Sequence, residues 1–218
     1  MTTPAVEDYL KAIYQLGESD GPVSTSAIAE RLAVAAGSVT GMLKRLSEQG
    51  LVEHVRYRGA TLTPEGRSSA LRLIRRHRVI ELFLVEVMSY TWDRVHDEAE
   101  RLEHAASDDL VDRMAKLLGE PLTDPHGSPI PAADGRLRAA SWPVLADLDA
   151  GRSAVLRRVR DADPDALRYL AELGLTPGAD IAVIERAPFN GPLTVRVGKR
   201  SHMLGREICG TILVEPID

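Results

Sequence analysis

The sequence predicts a mainly α-helical protein with a small β part, and three observations predict it. Apolar residues recur at helical spacing through most of residues 4–118, an alternating ribbon-like stretch interrupts them around Arg58-Gly59, and short strand-like runs separated by Gly and Pro fill the chain beyond residue 150.

From Pro4 to Leu16, the side chains Val6, Tyr9, Leu10, Ile13 and Tyr14 fall on one helical face, with Gly17 just past the end. Ser24 can cap a short helix running to Leu32. The small-residue turn AVAAG then leads to a second helix from Ser38 to Gln49, which carries Val39, Met42, Leu43 and Leu46 inward and is stopped by Gly50. The next segment, LVEHVRYRGATLT, alternates and turns at Arg58-Gly59, a two-stranded ribbon. Thr63-Pro64 supplies an N-cap and a first-turn proline for a long helix to about Met88. Helix, tight turn, helix and ribbon in that order spell a winged helix-turn-helix.

Two further helices are expected over Asp93–Ala106 and Asp108–Leu118. Residues 119–143, rich in Pro and Gly, read as a linker without regular structure. Strands at Ser153–Arg160, Ile181–Ile184, Leu193–Val197 and Thr211–Val214, with a short helix at Pro164–Leu173, suggest a small barrel. The expected division is a DNA-binding part over 1–70, a helical part over 71–120, a tether over 121–150 and a C-terminal domain over 151–218.

Composition narrows the function. The net charge is −5, yet residues 1–80 hold 11 Lys+Arg against 8 Asp+Glu, while the rest hold 16 against 24. A mildly basic front on an acidic body suits local contact with a polyanion. The longest greasy segment, VIELFLVEVM, is cut by Glu81 and Glu86, so no membrane span is expected. The start MTTPAVEDYL has no basic region, which points to a cytoplasmic protein. A single cysteine, Cys209, excludes an internal disulfide and a multi-cysteine zinc finger.

The sharpest chemical signal is His96, Glu100, Glu103 and His104. On a helix, positions four apart lie one above the other, so His96, Glu100 and His104 form one stripe with Glu103 at its flank. His77 and Glu81 repeat the spacing on the preceding helix. Imidazoles and carboxylates on one face suit a divalent first-row metal, although charged residues at this spacing also make solvated helix faces.

The segments EDYLKAIY, SVTGMLKRLSEQGLV, YRGATLTPEGR, RRHRVIE and VHDEAERLEH, in that order, resemble the diphtheria toxin repressor family of metal-dependent transcriptional regulators, in particular its manganese transport regulator branch. The linker DPHGSPIP and the stretch from Leu173 to Gly198 resemble that family's proline-rich tether and C-terminal SH3-like domain. The resemblance implies a primary site from Asp8, Glu100, Glu103 and His104. It implies an ancillary site from His77, Glu81 and His96, with Asp163 or Asp165 from the C-terminal domain. It further implies a homodimer through the helical part, a palindromic double-stranded operator, and repression of metal-uptake genes. Carboxylates plus imidazole suit Mn²⁺ and are compatible with Fe²⁺. Where the manganese branch often has another carboxylate this chain has Lys11, which cannot ligate; it is expected to pair with Asp8 in the empty protein, leaving two separated sites.

On the second helix of the winged motif, Ser38, Thr40, Lys44 and Arg45 face away from the apolar side and are the candidates for DNA, joined by Arg56 and Arg58 on the ribbon. Arg75 and Arg76 are expected to face solvent or phosphate, and His126 to be a plain loop residue. The competing readings are a winged-helix regulator of an organic ligand and a metalloenzyme; the chain has no nucleophile elbow, phosphate loop or HExxH pattern.

Overall fold

The computed structural model describes residues 3–17, 21–55, 59–137, 141–160 and 164–217. The chain divides into two compact units: the first comprises Met1–His77, Glu103–Ala106 and Pro131–Arg136, the second Arg78–Leu102, Ser107–Ile130 and Leu137–Asp218.

In the first unit, α1 (Pro4–Leu16), α2 (Thr25–Arg31) and α3 (Ala36–Glu48) precede an antiparallel ribbon of β1 (Val52–Val55) and β2 (Gly59–Leu62) and the start of α4 (Pro64–Glu86). Their apolar stripes meet in a core of Val6, Leu10, Ile13, Ile28, Val39, Leu43, Leu46, Leu73 and Ile74, all buried. Ser24 caps α2 by accepting from the Ala27 amide at 3.1 Å. The segment before α2 is stitched to the ribbon by paired backbone bonds between Val23 and Ala60 (2.8 and 2.9 Å). That approach requires Gly59, whose φ is +103° and whose hypothetical Cβ would sit 2.5 Å from the Val23 carbonyl oxygen. Thr63 starts α4 twice over: its hydroxyl accepts from the Gly66 amide (3.1 Å) and donates to the Gly50 carbonyl (2.7 Å).

The second unit holds α5 (Val95–Leu102), α6 (Asp108–Leu117) and a five-stranded antiparallel sheet in the order β6-β5-β4-β3-β7. The strands are β3 (Ser153–Val159), β4 (Asp180–Arg186), β5 (Leu193–Val197), β6 (Arg200–Leu204) and β7 (Ile212–Ile217), with α7 (Pro164–Glu172) and α8 (Arg206–Thr211) between them. Alternating inward residues Leu156, Ile181, Val183, Val195 and Val214 make its core with Leu145, Leu170 and Leu175, and Trp92 packs against it. Cys209 lies in this core, where burial pushes its thiol up to about 11, so it acts as a small apolar group.

Two expectations change. The helix expected over Asp93–Ala106 is shorter, and Glu103 and His104 lie in the turn after Leu102. The linker around residue 125 is organised: Thr123 bridges to Pro129, and the Asp124 carboxylate accepts from the amides of His126 and Ser128, both at 2.9 Å. Strand β6 and helix α8 are additions to the sequence reading. Among the described residues, no helix is long and apolar enough to cross a membrane.

Candidate metal centre

A first ligand cluster lies in the first unit. Asp8 projects from α1, and Glu103 and His104 from the turn after α5; one potential ligand atom from each falls within 4.8 Å of the others. His104 Nε2 is 2.9 Å from Asp8 Oδ1 and 3.7 Å from Glu103 Oε1. Its other nitrogen, Nδ1, is 2.8 Å from Glu7 Oε2. Burial works against the charged imidazole, but the Glu7 hydrogen bond and the charges of Asp8, Glu103 and Glu7 outweigh it and raise the His104 pKa.

Glu103 is fully buried and does not stand alone. Lys11, one helical turn beyond Glu7 and Asp8, donates to both of its oxygens at 3.0 and 2.9 Å, and His77 Nδ1 is 2.5 Å from Glu103 Oε2. Lys11 Nζ is also 3.2 Å from His77 Nδ1. The Lys11 ammonium is bidentate on Glu103, a partner 92 residues away in sequence. Arg76, expected to face solvent or phosphate, stands 3.8 Å from Glu7 Oε1, and Arg75 donates to the Pro131 carbonyl at 3.0 Å.

A second cluster, in the second unit, joins Glu81 of α4 to Asp124 and His126 of the linker turn. His126 Nδ1 is 3.9 Å from Glu81 Oε2; its Nε2 donates to the Trp92 carbonyl at 2.8 Å, and the ring stacks on Trp92. That bond fixes the tautomer and leaves Nδ1 to the carboxylates. His96 Nδ1 approaches Glu81 Oε1 at 3.1 Å. Asp124 is buried, and burial first, then the nearby Glu81 charge, raise its pKa against the opposing Arg78 and His126. Arg78 Nε is 3.5 Å from Asp124 Oδ2.

Glu100 belongs to the second unit, its carboxylate 3.5 Å from His96 Nε2, whereas His77 belongs to the first, against Glu103. Asp165 is exposed at the start of α7 and paired with Arg168; Asp163 lies outside the described residues. Ser38, Thr40, Lys44 and Arg45 are exposed on α3, with the Thr40 hydroxyl donating to the Ala36 carbonyl at 3.1 Å. Arg56 and Arg58 lie outside the described residues. Asp124 and His126 are the additions that periodicity could not find; their signal was an acid and an imidazole two residues apart in a Pro-Gly turn. Glu7 lies in the EDYLKAIY segment directly before Asp8, where spacing assigns it no role.

The donor chemistry fits a divalent cation. Both clusters offer carboxylate oxygens and one imidazole nitrogen, with the other nitrogen anchored by a protein acceptor, the usual support of a metal-binding histidine.

Three families match along the chain: iron dependent repressor, N-terminal DNA binding domain, over residues 1–60; iron dependent repressor, metal binding and dimerisation domain, over 63–132; and the FeoA domain over 144–216. The iron-dependent repressor IdeR of Mycobacterium tuberculosis is 32% identical over 97% of this chain and 96% of its own. The diphtheria toxin repressor of Corynebacterium glutamicum is 33% identical over 97% and 96%. A solved manganese-dependent transcriptional repressor in complex with manganese superposes with a TM-score of 0.90 at 41% identity, covering 97% of this chain and all of that one. The chain therefore belongs to the diphtheria toxin repressor family of metal-dependent transcriptional regulators, whose members are DNA-binding repressors and not enzymes.

Proposed function

We propose that this chain is a manganese-activated repressor of metal-uptake genes, working in the cytoplasm as a homodimer on a palindromic duplex operator. The observation that carries the reading is the gathering of Asp8, Glu103 and His104 within the unit that also contains α3. Their sulfur-free donor set is hard, suited to Mn²⁺ and compatible with Fe²⁺. Asp8, Glu103 and His104 Nε2 would hold a dication, which would supply positive charge to offset the two carboxylates. Glu81, Asp124 and His126, with His96 beside Glu81, form the ancillary site in this reading.

Functionally the chain divides at about residues 70, 120 and 150. Ser38, Thr40, Lys44 and Arg45 meet the duplex, with Arg56 and Arg58 gripping its backbone. Leu110 and Leu117 on α6 and Val87 and Met88 after α4 are exposed, which supports self-association through this region. In a symmetric dimer the two α3 helices must stand about 34 Å apart, or a multiple of that, to enter successive major grooves. Metal and operator then bind with reciprocal coupling.

The test pairs a Mn²⁺ titration by calorimetry with gel-shift titrations on a metal-uptake promoter. Wild type should bind Mn²⁺ and then bind the promoter more tightly; His104→Ala should lose both responses. A promoter affinity indifferent to Mn²⁺ ends the reading.

A further inference from the structure

Two consecutive residues of α1 straddle the His104 imidazole. Asp8 faces Nε2 at 2.9 Å and Glu7 faces Nδ1 at 2.8 Å. The two ring nitrogens point in divergent directions, and it is Nε2 that faces the oxygens of Asp8 and Glu103, at 2.9 and 3.7 Å. Glu7 Oε2 therefore meets the ring from the side away from the cluster. Its other oxygen stands 3.8 Å from Arg76 Nη1, so the carboxylate is braced at both ends, and it is largely buried.

We propose that Glu7 is a positioning residue for metal binding: it holds the Nδ1–H of His104, fixing the tautomer and ring plane that present Nε2 to the ion. This rests on the reading of Asp8, Glu103 and His104 as a metal site. The physical reason is that an imidazole free to rotate or to carry its proton on Nε2 must reorganise before it can ligate. A carboxylate on Nδ1 removes that cost and raises the basicity of the ligating nitrogen. Arg76 serves by holding the Glu7 carboxylate aimed at the ring rather than turned toward the cation. Two neighbouring acids of one helix thus have different tasks, one to ligate and one to orient.

The experiment titrates the whole chain with Mn²⁺ for the wild type, Glu7→Gln, Glu7→Ala and His104→Ala. Calorimetry supplies the affinity, and metal analysis at saturation the stoichiometry. Glu7→Ala should weaken the first site about 10- to 100-fold with the number of ions held unchanged. Glu7→Gln, whose amide oxygen still accepts from Nδ1–H, should recover most of the loss. Nitrogen-15 spectra of the Zn²⁺-loaded protein should show a His104 Nδ1–H protected from exchange in wild type and Glu7→Gln and exposed in Glu7→Ala. Wild-type affinity in Glu7→Ala would overturn the proposal. Loss of one whole ion would also overturn it, making Glu7 a ligand. If His104→Ala keeps full stoichiometry and affinity, it is the metal-site reading underneath that fails.

Discussion

The two ligand clusters are built from the same donors and differ in how they hold their own positive charge. In the first, a lysine is bidentate on a fully buried glutamate, and Asp8 leaves an open flank, with 39% of its side chain exposed. In the second, the carboxylates of Glu81 and Asp124 are both shut away, at 2% and 4% exposed, and the cation is Arg78. Arg78 is fastened elsewhere as well, donating to the Pro129 carbonyl at 2.5 Å. An ammonium on a flexible stem is a point charge that can be displaced, whereas a guanidinium anchored to backbone is a fixture. The two clusters therefore differ in the kind of cation they hold, a flexible ammonium in the first and a guanidinium also tied to backbone in the second.

The largest expected effect tests this difference directly. Glu103→Ala leaves the Lys11 ammonium buried against His77 without its carboxylate, and removing one partner of a buried pair costs about 3–5 kcal/mol. Asp124→Ala costs less, because Arg78 keeps its carbonyl and Asp124 already bears the repulsion of Glu81. Urea unfolding of the metal-free variants measures both. Equal losses would erase the distinction between a flexible and a tied cation.

A smaller effect of opposite sign is expected from Lys11→Met. With no ammonium competing for Glu103, Mn²⁺ should bind the first cluster more tightly by about tenfold, a typical coupling for one close charge pair. The metal-free protein should lose stability in the same variant. Calorimetric titration against wild type reads the first change, and an unchanged affinity would mean that Lys11 does not compete with the ion.

How far these clusters were legible in the sequence follows from how each is assembled. Helix α1, the Ser24 cap and the Thr63-Pro64 start of α4 were readable because they are local: capping, periodicity and a proline decide them. The stripe of His96, Glu100 and His104 was drawn on helical geometry that ends at Leu102, so His104 leaves it and meets α1 through a turn. Lys11 was legible as a residue unable to ligate, but its partner Glu103 is a tertiary fact that spacing does not contain. Asp124 and His126 reach Glu81 because an Asx turn folds the linker back, and no period marks that closure. Strand β6, Arg-Ser-His-Met-Leu, is illegible in sequence for a different reason. It is an edge strand, and only Leu204 at its end is fully buried, so the alternation that betrays a strand is missing.

The subtlest expected effect separates the clusters by pH in the metal-free protein. Asp124 has a folded pKa raised above the ordinary carboxylate value of about 3.9, chiefly by burial and then by Glu81. Its contribution to stability is therefore whole below about pH 4 and is lost as pH rises through the raised value. His104 is also raised, but from about 6.5, so its contribution is whole below that pH and is lost only above it. Asp124→Asn mimics the protonated acid throughout. Its thermal midpoint should match wild type near pH 4 and exceed it by a few degrees as pH rises, since about 1 kcal/mol moves a chain of this size by roughly 2–4 °C. His104→Gln should instead keep a constant offset from wild type up to about pH 6.5, with the gap narrowing only beyond it. Calorimetric scans of the three proteins at half-unit intervals resolve the two windows. A flat difference for Asp124→Asn would mean that Arg78 and His126 neutralise the buried acid fully, leaving proton exchange to the first cluster alone.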